Sequence, residues 1–274
     1  MRHLKHPRGT TMLAVVTVLL LFLPFMSDIS YPAEETSRVV LEVIGTSFAS
    51  RVAPVLPLAK LALLAVAASP FLARRDVARV VLGYYGVVLV PIGFFQNMSV
   101  LTTYGFVWMY GNTLVDLLVA SRCAIDLVQG RTRVDGTRLR RARLWLLVPM
   151  ALALLGPYAA DAAGNVVPDF GRALLASDSG VSYCMVTPVV LGTLLLFPDG
   201  VDEDTLSYLA FVGLAFGAMN LLTCFVMVPA SWWMGVLHLP LVLTSVLGLV
   251  EARRKRAAAQ GPQPAGADGA TQAA

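Results

Sequence analysis

Apolar stretches of roughly 17 to 25 residues recur from one end of this chain to the other, each long enough to cross about 30 Å of hydrocarbon at about 1.5 Å per helical residue. Eight can be drawn, over residues 11–27, 52–73, 80–95, 101–121, 144–160, 181–197, 206–228 and 232–250, and no segment between them is long enough for a soluble domain. With 57% hydrophobic residues, 14% charged residues and a mean hydropathy of +0.71, a bilayer rather than water is the expected solvent. The predicted fold is therefore all-α: a polytopic integral membrane bundle of about eight helices. It forms one transmembrane domain over residues 1–256, followed by a disordered cytoplasmic tail over residues 257–274, rich in Ala, Gly, Gln and Pro.

The distribution of basic residues orients this bundle. With the amino terminus inside, seventeen of the twenty-one Lys and Arg residues fall on inner segments, among them Arg75, Arg79, the seven arginines from Arg122 to Arg143, and the Arg253–Arg256 run. That bias satisfies the positive-inside rule and puts both termini in the cytoplasm, with the cell membrane as the expected location. It also accounts for the net charge of +4 and the pI near 9.1 without nucleic acid as a partner. The lipid bilayer is the expected environment. A protein partner or a second copy of the chain, and a small solute or ion, are the other partners the pattern admits.

The first apolar stretch also has the length of a signal peptide, but no A-x-A-like cleavage site follows it. Its removal would leave seven spans, as in rhodopsins, and the last span lacks the lysine that such a reading needs.

The two halves resemble one another. Pro24-Phe25-Met26-Ser27-Asp28 and Pro157-Tyr158-Ala159-Ala160-Asp161 share a P-aromatic-x-x-D order, 133 residues apart. Each is followed by a second proline, Pro32 or Pro168, and a mildly amphipathic stretch, residues 38–50 or 170–179. Pro57 and Pro188, Asn97 and Asn220, and Trp108-Met109-x-Gly111 and Trp233-Met234-Gly235 continue the parallel in the same order. The pattern predicts a duplicated four-helix unit, residues 1–130 and 131–256, with the two units in the same orientation because four is even. The duplication also argues for retaining the first span, since the fifth is its counterpart.

Ionisable and amide side chains inside spans are costly and mark candidate sites. Lys60 lies about 9 Å below the outer surface, where it either snorkels or faces the bundle. His238 and Asn220 lie at a similar depth, and Gln96 and Asn97 slightly shallower. These five either line one outward-facing chamber or each join two helices separately. Asn112 and Asp116, four apart, share a helical face. Asp116 either pairs with Arg122 or faces the interior as a proton or cation site, and its counterpart in the second half is Pro240.

Asp28 and Asp161 either guard an outer vestibule or are ordinary span ends. Asp204-Thr205 reads as the N-cap of the seventh span, and Gly213-x-x-x-Gly217 as a packing groove.

The chain has no P-loop, no G-x-S-x-G, no H-E-x-x-H and no dinucleotide fingerprint. Cys123, Cys184 and Cys224 form neither a CxxC pair nor a disulfide framework, so no cofactor or metal is expected. Three functional classes remain. A small secondary transporter or channel with a polar site in the outer half of the bundle fits best. A non-catalytic membrane subunit or assembly factor comes second, and an enzyme acting on a lipid or isoprenoid third.

Overall fold

A computed structural model describes residues 7–49, 54–73, 75–160, 166–171 and 173–260. The apolar stretches form helices: α1 (Pro7–Leu21), α3 (Val55–Leu72), α4 (Ala78–Phe95), α5 (Tyr110–Gln129), α6 (Leu147–Leu155), α8 (Tyr183–Leu196), α9 (Glu203–Leu222) and α10 (Trp232–Gln260). Between them lie two short helices, α2 (Thr36–Gly45) and α7 (Ala173–Ala176). Five short strands complete the order among the described residues: β1 (Met26–Ser27), β2 (Met98–Leu101), β3 (Gly105–Trp108), β4 (Tyr158–Ala160) and β5 (Val166–Pro168).

Among the described residues, four helices are long and apolar enough to cross a membrane: α3, α4, α9 with its continuation to Met227, and α10. A fifth is added if residues Leu174–Val181 and Tyr183–Leu196, bent by 82°, count as one span. The other three expected spans fall short for separate reasons. The apolar part of α1, Gly9–Leu21, is short, and α5 carries Asp116, Arg122 and Asp126. Helix α6 has nine residues after a six-residue 3₁₀ turn, and Gly156 at φ 50° ends it.

The helix ends gather at two opposite faces. At one, the basic end, the 130–143 segment ties the others together: Val77 N–H donates to Val134 O, Arg133 N–H to Gly200 O and Arg140 N–H to Leu196 O. Ion pairs Arg143–Glu251 and Arg256–Asp204 bring in α10 and the start of α9. At the other, the hairpin end, an antiparallel sheet of order β1-β3-β2 closes the bundle, and α2 docks on it through the Thr46–Ser99 hydroxyl pair. Val39 and Val43 of α2 are buried with Leu101, Tyr104, Val107 and Met109 in a small core of their own.

This sheet corrects the expected fourth span. Residues 101–108 are not helical, and α5 starts at Tyr110 and runs on to Gln129. The segment is rich in β-branched and aromatic residues, and Gly105 at φ 68° lets it fold back on itself. Pairing Met98 with Trp108 and Leu101 with Gly105 satisfies the backbone as a helix would have done. Helix α10 continues to Gln260, past residue 257, the expected start of the tail, and residues 261–274 lie outside the described ones.

Helix α8 forms the centre, with all fourteen of its residues buried. A helix enclosed on every side needs no polar face, which is why its sequence is apolar all round. Its expected counterpart α3 is peripheral, with Leu58, Leu61 and Leu64 exposed. Close packing of α9 on α10 depends on glycine: a Cβ on Gly213 would lie 2.4 Å from Ser245 Oγ, and one on Gly217 2.6 Å from Val242 Cγ2. Gly217→Leu is expected to force these helices apart and destabilise the protein by about 1–3 kcal/mol, read as a lower midpoint in detergent unfolding. An unchanged midpoint would show that the helices can separate without cost.

The N-cap of α9 lies two residues before the expected Asp204-Thr205 pair. The Asp202 carboxylate accepts the N–H groups of Asp204 and Thr205 at 3.2 and 2.9 Å. The same carboxylate receives Arg122 Nη2 at 3.0 Å, with both side chains largely buried.

Candidate functional site

Five of the seven polar residues singled out by sequence, Gln96, Asn97, Asn112, Asp116 and Asn220, line one cavity near the hairpin end. Its volume is about 70 Å³. A single water needs about 10–15 Å³ on this measure, so the space suits a few waters or a small ion and excludes a bulky organic substrate. Leu21, Phe25, and Val40 and Ile44 of α2 supply apolar lining.

Asp116 is the ionisable centre, 1% exposed. Its Oδ2 accepts a hydrogen bond from Asn97 Nδ2 at 3.1 Å, and the same amide nitrogen also donates to Gly93 O at 3.0 Å. Its other oxygen, Oδ1, is buried without a hydrogen-bond partner among the described residues. Such a group costs about 1–3 kcal/mol or more unless something occupies its lone pairs. Pairing with Arg122 does not occur, since that guanidinium is bound to Asp202 and Thr205 near the basic end.

Gly93 makes room for the carboxylate, because a Cβ there would sit 3.1 Å from Asp116 Cβ and 3.4 Å from Thr113 O. Gly93→Ala adds helix propensity worth about 1 kcal/mol against an overpacking cost of about 1–3 kcal/mol. A small net loss of stability is expected, with a larger loss of any function that depends on where Asp116 points. Equal losses in unfolding midpoint and in function would argue against a site here.

Two of the remaining cavity amides, Gln96 and Asn220, are held to the scaffold. Gln96 accepts Tyr183 N–H at 2.8 Å and donates to Ser182 Oγ at 3.2 Å, fastening the end of α4 to the start of α8. Asn220 donates to Phe216 O at 2.9 Å and to Cys184 Sγ at 3.6 Å. Asn112, half-buried, approaches only Met109 Sδ, at 4.0 Å.

Two predicted members lie elsewhere. Lys60 does not snorkel: it is 7% exposed, and its ammonium donates to the carbonyls of Leu155 and Leu174, each at 2.8 Å. Leu155 is the last residue of α6, so the lysine caps a helix end whose carbonyls lack intrahelical donors. His238 Nδ1 meets Met234 O one turn back in α10 at 2.6 Å, and the ring lies outside the cavity.

Asp28 serves the hairpin, accepting Phe106 N–H at 2.8 Å. Asp161 lies outside the described residues.

Sequence reasoning missed Tyr183 and Cys184, which also line the cavity. The Tyr183 ring packs on Phe216 with centroids 4.8 Å apart. Its hydroxyl faces Tyr85 and Thr187 without a bond of normal geometry, while those two hydroxyls join at 2.9 Å. Nothing in the local sequence separates Tyr183 from an aromatic at a membrane interface; only the bend before α8 aims it inward.

No known family, curated protein sequence or solved structure matches this chain. Among the described residues no three His, Cys, Asp or Glu side chains gather as a metal site would require. One carboxylate ringed by carboxamides suits a proton or a hard monovalent cation, whose preferred ligands are oxygens.

Proposed function

We propose that the protein is a small secondary transporter or channel that carries a proton or monovalent cation through Asp116. The observation that carries this reading is the buried Asp116 Oδ1, without a partner among the described residues, in a cavity that α5, α8, α9 and the two residues after α4 all line. A carboxylate in that setting marks ion paths in membrane proteins, because structural carboxylates are paired.

In this reading all eight apolar helices cross the bilayer, with the basic end and both termini in the cytoplasm of the cell. At about 1.5 Å per α-helical and about 2 Å per 3₁₀ residue, α6 with its preceding turn reaches about 25 Å, enough for a locally thinned bilayer. The cavity then opens toward the outer face.

A duplicated origin is part of the proposal. It is supported by the helix, Pro-aromatic and strand order at α1–β1 and α6–β4, and by the Trp-Met motifs at the starts of α5 and α10. The unlike burial of α3 and α8 then reflects divergence, with only the first half keeping the carboxylate.

The test is flux of H⁺, Na⁺ or K⁺ into liposomes holding the purified protein, against protein-free liposomes. Selective flux of one cation supports the proposal. Absence of flux for all three, with one other protein co-purifying in fixed ratio, would replace it with the reading of a non-catalytic subunit.

A further inference from the structure

A second pocket, of about 490 Å³, opens at the basic end among the ends of α3, α5 and α8 and the start of α4. Four guanidinium groups border it, from Arg75, Arg79, Arg133 and Arg138, together with the carboxylates of Asp76 and Asp135. Both carboxylates are committed to the backbone. Asp76 Oδ1 accepts the N–H groups of Ala78 and Val134, each at 2.9 Å. Asp135 Oδ1 accepts the Thr137 N–H at 2.9 Å and hydroxyl at 2.8 Å, which hold its carboxyl below the usual range.

Arg138 reaches Asp135 only at 3.7 Å. Arg75, Arg79 and Arg133 make no side-chain hydrogen bond or ion pair among the described residues. A concave site therefore presents three uncommitted guanidinium forks, the geometry that receives phosphate oxygens in pairs.

The surroundings indicate what carries the phosphate. Leu72, 81% exposed and three residues before Arg75, Val80 beside Arg79, and Val128, 89% exposed and beside Leu127, present apolar side chains outward where α3 ends, α4 starts and α5 ends. A phosphate in the arginine pocket with hydrocarbon along that flank is the layout of a membrane lipid. We propose that this pocket binds the phosphate of an anionic phospholipid, whose chains lie along Leu72, Val80 and Val128. Inorganic phosphate shares the headgroup chemistry and is the other source.

The test uses the full-length protein, exchanged in mild detergent with equal amounts of phosphatidylglycerol and phosphatidylcholine and weighed by native mass spectrometry. A parallel sample without lipid is titrated with inorganic phosphate and followed by phosphorus NMR line width. All four substituted arginines are exposed, so both variants keep the fold.

Wild type is expected to retain phosphatidylglycerol preferentially, and Arg79→Gln with Arg133→Gln to lose about 25-fold, roughly fivefold per basic residue facing an anionic surface. Arg253→Gln with Arg254→Gln, at the same end outside the pocket, is expected to keep the preference. Phosphate line broadening lost in the pocket variant, without lipid enrichment, would support the site with a soluble ligand instead. Neither signal, or equal losses in both variants, would overturn the proposal.

Discussion

Replacing Asp202 by Ala is expected to cost about 3–5 kcal/mol, the loss typical of a buried ion pair deprived of one partner. The pair's side chains are 12% and 7% exposed, so water cannot readily take the place of the carboxylate around Arg122. The nearest substitute, Asp126, already accepts the Thr132 N–H and hydroxyl at 2.9 and 2.7 Å and the Thr205 hydroxyl. Loss of the N-cap to Asp204 and Thr205 adds about 1 kcal/mol. The measurement is reversible unfolding in mixed micelles, beside the double variant Arg122→Met with Asp202→Leu. The double variant is expected to be more stable than Asp202→Ala alone, because an apolar pair leaves no charge stranded. A single-variant loss under about 1 kcal/mol would mean that the pair behaves as a solvated surface one.

Asp116→Asn is expected to abolish cation flux while sparing the fold. The amide is nearly isosteric, and its oxygen can still accept the bond from Asn97, so the α4–α5 contact survives. What disappears is the negative charge and the proton that a carboxylate can exchange. A fall of about 100-fold in flux, equivalent to roughly 2.7 kcal/mol of barrier, is the expected size. Unfolding midpoints of the variant and the parent should agree closely. Full flux in Asp116→Asn would remove Asp116 from any transport role. A lost midpoint with lost flux would class it as a structural residue, and Asn112→Ala, which breaks only the long contact to Met109 Sδ, would then test the cavity separately.

The helices were largely legible because a bilayer-length apolar run has few folded solutions. Their ends were less so. Hydropathy does not distinguish the hairpin at residues 98–108 from the start of a span, since the same β-branched and aromatic residues serve both and only strand pairing decides. The site divides in the same way. Asn112 and Asp116 share a face by helical spacing alone, but whether Asp116 meets Arg122 or Asn97 depends on which helices are neighbours.

Composition and hydropathy pattern were enough to establish that this chain is helical and membrane-like, where most of its helices lie, and which polar side chains needed an explanation. These properties follow from transfer free energy and helical period, which are local. Tertiary structure alone decided that Lys60 caps α6, that His238 stands apart from the cavity, that Gln96 braces α8, and that Asp116 keeps a bare oxygen. The Lys60, Gln96 and Asp116 outcomes depend on contacts between residues 19 to 114 positions apart, and that of His238 on the rotation of its helix about its axis, which an almost uniformly apolar sequence leaves undefined.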